Sequence, residues 1–264
     1  MDLGLEGKAS TDRPRTGPAA PSVELLSSRV PSPEVTSPMD LLLLLRHAVT
    51  AETGTRLSGW TSGIHLSGTG REQARALAGR LAAVAIDVVY ASPLERCMET
   101  AASVAEPRGL KVGTAEDLGE VRYGSWTGRE LKELVKEDLW RVVQRHPSGA
   151  RFPDGESIYE MQVRAVAALE RLRAEHPGQT IAVCSHADVI KAVAAHYLGL
   201  HLDLFQRLEI GPASVTAFAF TPLPHLLRLN ETGSVADLER PKEPGGPEAG
   251  ASAAPREEAG DGEP

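Results

Sequence analysis

The chain is 264 residues long, 41% hydrophobic, poor in aromatics at 4%, and carries a net charge of −8. That length allows one large α/β domain or two small ones, and no segment approaches the ~18–20 apolar residues of a helical membrane span. The charge is uneven: residues 231–264 hold three basic and nine acidic side chains, whereas residues 39–230 hold 21 and 22. The central part is thus near neutral and offers no broad basic footprint for nucleic acid or an anionic membrane, so any anion site must be a local arginine cluster. Cys97 and Cys184 have neither metal-ligand spacing nor a disulfide framework and read as small core residues. The start lacks the order of a secretory signal, which makes the cytoplasm the expected location.

Residues 1–38 are rich in Pro, Ser, Gly and Thr without periodicity and read as a disordered extension. Met39–Asp40 directly precede the leucine run, which makes Met39 a candidate start of the native chain. Leu41–Leu45 are five consecutive leucines ending at Arg46–His47, the pattern of a short strand buried on both faces of a parallel sheet. An arginine and a histidine therefore emerge at a strand's carboxyl end, where ligands of open α/β sheets sit. A glycine-punctuated loop, Thr50–Gly63, leads to Ser67 as N-cap of a helix reaching about Val84. Asp87–Ala91 is the second strand, and Ser92–Pro93–Leu94–Glu95 reads as a capping box with a proline start. Arg96 then lies in a helix's first turn, where its charge opposes the helix dipole unless an anion is near.

Lys111–Ala115 is a short strand, and Asp117–Gly128 a loop before a helix from about Arg129 to Arg145. Phe152–Ser157 turns into a long helix with Ile158, Met161, Ala165, Leu169 and Leu172 inward. Thr180–Ser185 is another buried strand, with His186 at its carboxyl end, followed by a helix over Asp188–Leu198 that Gly199 stops. Ser214–Phe220 is the last expected strand, and residues 231–264 read as a disordered acidic tail after a domain over 39–230.

The ordered series RHAVT, RLSGW, LSGTGREQA, SPLERCMETA and CSHADV, spanning about Leu41 to Phe220, resembles the histidine phosphatase superfamily, the phosphoglycerate-mutase-like proteins. The resemblance implies a three-layer α/β/α sandwich with a mainly parallel central sheet. It also implies that three strand ends meet around one phosphate. On it, His47 is the nucleophile and becomes phosphorylated, Arg46, Arg96 and His186 hold the phosphoryl oxygens, and Glu120 protonates the leaving group. Ser58 and Gly59 match a second phosphate-contacting segment, by hydroxyl and backbone N–H, and Thr53 stands where asparagine is common. Ala48 replaces the usual glycine. Glu116 and Asp117 lie close enough in sequence to be alternatives for the acid. The chemistry suits these residue types: neutral imidazole is an available nucleophile, and fixed cations meet the phosphoryl charge without an obligatory metal or cofactor.

Three functions compete: a metal-independent phosphomonoesterase, a cofactor-dependent phosphoglycerate mutase, and a phosphoanion-binding module without turnover. The pattern Glu120, Gly124, Trp126, Gly128 and the short segment before Phe152 resemble the phosphatases. His47, His186 and Glu120 together speak against a mere binder. The expected partner is a small phosphorylated substrate, and the sequence does not fix the oligomeric state.

Overall fold

The computed structural model describes residues 40–221 and 223–238. Six strands form one sheet: β1 (Asp40–Arg46), β2 (Val88–Ala91), β3 (Val112–Thr114), β4 (Thr180–Ser185), β5 (Val215–Phe220) and β6 (Pro224–Glu231). Their spatial order is β3-β2-β4-β1-β5-β6, with β1, β4, β2 and β3 parallel, and β5 antiparallel to both β1 and β6. The helices are α1 (Gly68–Arg80), α2 (Glu95–Ala105), α3 (Leu131–Leu134), α4 (Asp138–Arg145), α5 (Ile158–Glu175) and α6 (Ala187–Tyr197).

The leucine run explains the three layers. Leu41, Leu43 and Leu45 pack into a core with Ala74 and Leu77 of α1 and Cys97 and Ala101 of α2. Leu42 and Leu44 point the other way, into a core with Met161 and Leu169 of α5 and Ile190 and Val193 of α6. Successive side chains alternate across a strand, so a strand covered on both faces must be apolar at every position. Asp40 closes its start: its Oδ1 accepts from Gly178 N at 2.7 Å, and its Oδ2 pairs with Arg173 at 3.3 Å.

Four features differ from the sequence reading. The helix expected over 129–145 is two, α3 and α4, separated at Val135–Glu137. The capping box at Ser92 does not form: α2 starts at Glu95 after Leu94, with no side-chain cap. β5 is not the last strand, because β6 pairs with it through an irregular register. Finally, the packed chain passes residue 230. Val235 is fully buried and Leu238 nearly so, both against the α1/α2 core. The first part of the segment read as an acidic tail, residues 231–238, is therefore apolar-anchored chain. The extension over 1–38 and the tail from 239 lie outside the described residues.

Candidate active site

Three strand ends deliver the site. β1 is hydrogen-bonded to β4, and β4 to β2, in one parallel register, so the residues just after each strand emerge side by side. The residues there are Arg46, the last of β1, with His47 after it, Ser92 and Arg96 after β2, and His186 after β4. A cavity of about 230 Å³ opens there, with Arg46, His47, Arg96, Glu120, Tyr123 and Asp188 in its walls. Thr53, Ser58 and Gly59 line the same cavity.

His47 is 7% exposed. Its Nδ1 lies 2.8 Å from Ala48 O, an acceptor, so Nδ1 carries the hydrogen and Nε2 keeps its lone pair. Burial first, then the nearby Arg96 and Arg46 charges, push its pKa down to about 3, outweighing the Ala48 carbonyl. His47 is therefore neutral at pH 7. The ring of His186 lies edge-on to it, with centroids 5.2 Å apart. His186 is completely buried behind the cavity wall. Its Nε2 donates to Ser92 Oγ at 2.8 Å, and its Nδ1 faces Arg96 Nη2 at 3.4 Å and Glu120 Oε2 at 3.7 Å. Burial, then Arg96 and His47, hold its pKa well below the ordinary imidazole value.

Both arginines are anchored by backbone carbonyls: Arg46 Nη1 donates to Ile210 O at 2.5 Å, and Arg96 Nη2 to Gly59 O at 2.8 Å. Each keeps one buried N–H without a hydrogen-bond partner within the protein, Nε of Arg46 and Nη1 of Arg96. Buried donors are nearly always paired, and an anion held between the two guanidiniums would supply the missing partner. Gly59 has φ 52°, and a Cβ there would lie 3.1 Å from Tyr123 Cδ2, so the turn that presents its carbonyl to Arg96 favours glycine. The other two loop residues are engaged locally. Ser58 Oγ donates to Glu52 Oε2 at 2.6 Å, and Thr53 Oγ1 accepts from Thr50 N at 2.9 Å.

Glu120 lines the same cavity as His47. Its carboxyl pKa is raised to about 7, by burial first and by the Asp188 carboxylate second, against the lowering effect of Arg96 and Arg46. Its backbone is clamped. Arg164 of α5 donates to Asp117 O, Gly119 O and Glu120 O at 2.6–2.9 Å, and Trp60 Nε1 donates to Glu120 O at 2.5 Å. Glu156, paired with Arg164 at 2.6 Å, keeps that guanidinium in place. Glu116 and Asp117 instead form exposed ion pairs with Arg122 and Arg171.

Sequence reasoning missed four of these residues. Ser92 reads as a helix cap, and the sequence reading gives Tyr123, Arg164 and Asp188 no role. Only the spacing of Ser92 after a strand end, shared with His47 and His186, carried a signal.

The histidine phosphatase superfamily (branch 1) family model matches residues 42–232. The chain is 34% identical over 179 residues to phosphoserine phosphatase 1 of Hydrogenobacter thermophilus, covering 66% of this chain and 83% of that protein. It is 28% identical over 205 residues to a probable phosphoglycerate mutase of Yersinia enterocolitica, covering 76% and 95%. Its fold is similar to that of phosphoserine phosphatase from Entamoeba histolytica in complex with 3-phosphoglyceric acid. That match has a TM-score of 0.67 at 26% identity and covers 73% of this chain and 97% of that one.

Proposed function

We propose that this chain, which belongs to the histidine phosphatase superfamily (branch 1), hydrolyses small phosphomonoesters through a phosphohistidine on His47. The observation that carries this reading is the pair of unpartnered buried N–H groups, Arg46 Nε and Arg96 Nη1, beside a neutral imidazole whose Nε2 is free. Such a constellation takes a phosphoryl group as its missing partner and has a nucleophile ready for it.

In the first step His47 Nε2 forms a bond to phosphorus as the bond to the ester oxygen breaks. The leaving alkoxide takes the proton of Glu120, which is half protonated near pH 7. Arg46 and Arg96 hold the phosphoryl oxygens, and His186, set by Ser92, completes the cradle through Nδ1 once the anion's charge favours a proton there. In the second step the Glu120 carboxylate takes a proton from water as that water attacks the phosphohistidine. Inorganic phosphate leaves and His47 returns to neutral imidazole. Two free buried cysteines accord with a reducing compartment, and we assign the enzyme to the cytoplasm, which cell fractionation tests.

The experiment is turnover of p-nitrophenyl phosphate by the wild type and by His47→Ala, followed by 3-phosphoglycerate with 2,3-bisphosphoglycerate. We expect phosphate release by the wild type, none above background by a folded His47→Ala, and inhibition by vanadate, which adopts five-coordinate geometry. Transfer to 2-phosphoglycerate outrunning hydrolysis would make the chain a mutase, and full activity in His47→Ala would remove the phosphohistidine.

A further inference from the structure

Beside the phosphoryl cavity lies a second one of about 200 Å³, and Leu57, Tyr123, Leu131 and Asp188 line both. The rest of its wall is ring and hydrocarbon, Trp126, Trp140, Val143 and Phe152, with Gln144 and Gln206 as further polar groups. Four of the chain's eleven Phe, Trp and Tyr residues thus wall one small space. The rings brace one another. Trp126 stacks on Trp140 with centroids 6.4 Å apart, and Phe152 meets Trp126 and Tyr123 edge-on at 5.4 and 4.9 Å. The shape is therefore present before any ligand arrives, and a preformed site loses less on binding.

Charge decides what it can receive. Among the described residues, none of those lining this space is Lys, Arg or His, and its shared wall carries the Asp188 carboxylate. Lys191 is engaged by Gln206 at 3.1 Å and Asp188 at 3.9 Å. Arg56, in the phosphoryl cavity, is held by Gly128 O at 3.0 Å and Glu130 at 3.1 Å. A leaving group with its own carboxylate would have to break one of these pairs and approach Asp188. A neutral ring needs neither. An apolar cavity of about 150 Å³ holds benzene, so this one has room for a single substituted ring.

We propose that the preferred esters carry an uncharged aromatic or bulky hydrocarbon leaving group seated against Trp126, Trp140 and Phe152, with Leu131 and Leu57 at its entrance. This rests on the phosphatase reading of the neighbouring site. It assigns specificity to α4 and to the short α3, and the chemistry to the strand ends.

The test compares kcat/KM for 2-phenylethyl phosphate, ethyl phosphate and O-phosphoserine, all alkyl esters, on the full-length enzyme. Burying the ring should favour 2-phenylethyl over ethyl phosphate by about 10- to 100-fold, with O-phosphoserine below 2-phenylethyl phosphate. Trp140→Ala should remove most of that advantage. Gln144→Arg, an exposed position that tolerates a long side chain even if Trp140→Ala does not fold, should raise O-phosphoserine relative to 2-phenylethyl phosphate. Equal rates for phenylethyl and ethyl esters, or O-phosphoserine as the best substrate, would overturn the proposal and leave the phosphatase intact. Absence of hydrolysis for all three and for p-nitrophenyl phosphate would sink both.

Discussion

At the scale of single residues, the site works by holding charged chemistry in uncharged form. As the proposed acid, Glu120 must carry a proton to give one, and burial, with the Asp188 carboxylate second, raises its pKa to about 7. On the proposed mechanism, Glu120→Gln removes the proton donor without removing the nucleophile. An alkyl phosphate expels a basic alkoxide, so its kcat should fall by ~10²–10⁴-fold, whereas p-nitrophenyl phosphate, with a stable leaving anion, should lose far less. Steady-state kinetics on the two esters checks this, and equal losses would make Glu120 a structural residue. The identity of the acid was open in the sequence because three carboxylates lie within five positions. Local pattern favoured Glu120, but only packing separates it from Glu116 and Asp117, whose partners are solvent-facing arginines. The same limit hid Arg164. A charged residue in mid-helix reads as surface until the loop it clamps is seen above it.

At the scale of elements, what was legible is what burial on both faces dictates. β1 and β4 are buried, largely apolar runs with a histidine directly after each, and their places in the sheet follow from that pattern. The α2 start was misread because a serine three residues before a glutamate usually caps a helix. Here its hydroxyl serves His186 instead. β6 escaped notice for a different reason. It is an edge strand of mostly half-exposed residues beginning with proline, so its pattern shows neither a buried run nor strict alternation. The segment after it was judged by composition, although two apolar side chains within it suffice to dock it. A chain ending at Leu238 should therefore be more stable than one ending at Thr232. Burying Val235 and Leu238 contributes about 1.5–3 kcal/mol each, which together, for a domain of this size, is roughly 6–24 °C in Tm. Thermal melts of the two chains measure it, and coincident melts would mean the segment adds nothing.

At the scale of the whole molecule, neutral buried histidines tie stability to pH. His47 titrates near 3 when folded and near 6.5 when unfolded. Below pH 6.5 the unfolded chain therefore binds a proton that the folded chain refuses, and stability falls as pH drops through that window; His186 acts in the same direction. Denaturant melts between pH 6.5 and 5 should show the wild type losing stability more steeply than His47→Ala, by about 1 kcal/mol per pH unit. Parallel curves would show that His47 protonates freely in the folded state. The position of β1 has a consequence for biosynthesis as well. The first strand of the described domain is also a middle one, and its pairing partners, β4 and β5, begin about 140 and 175 residues later. At translation rates of about 5–20 residues per second, β1 waits roughly 7–30 s for its first strand partner, and Leu42 and Leu44, which face α5 and α6 rather than the earlier α1 and α2, stay bare for most of that time. Such a nascent segment is a natural client for ribosome-associated chaperones, and its yield in a cell should depend more on that escort than on the finished protein's stability.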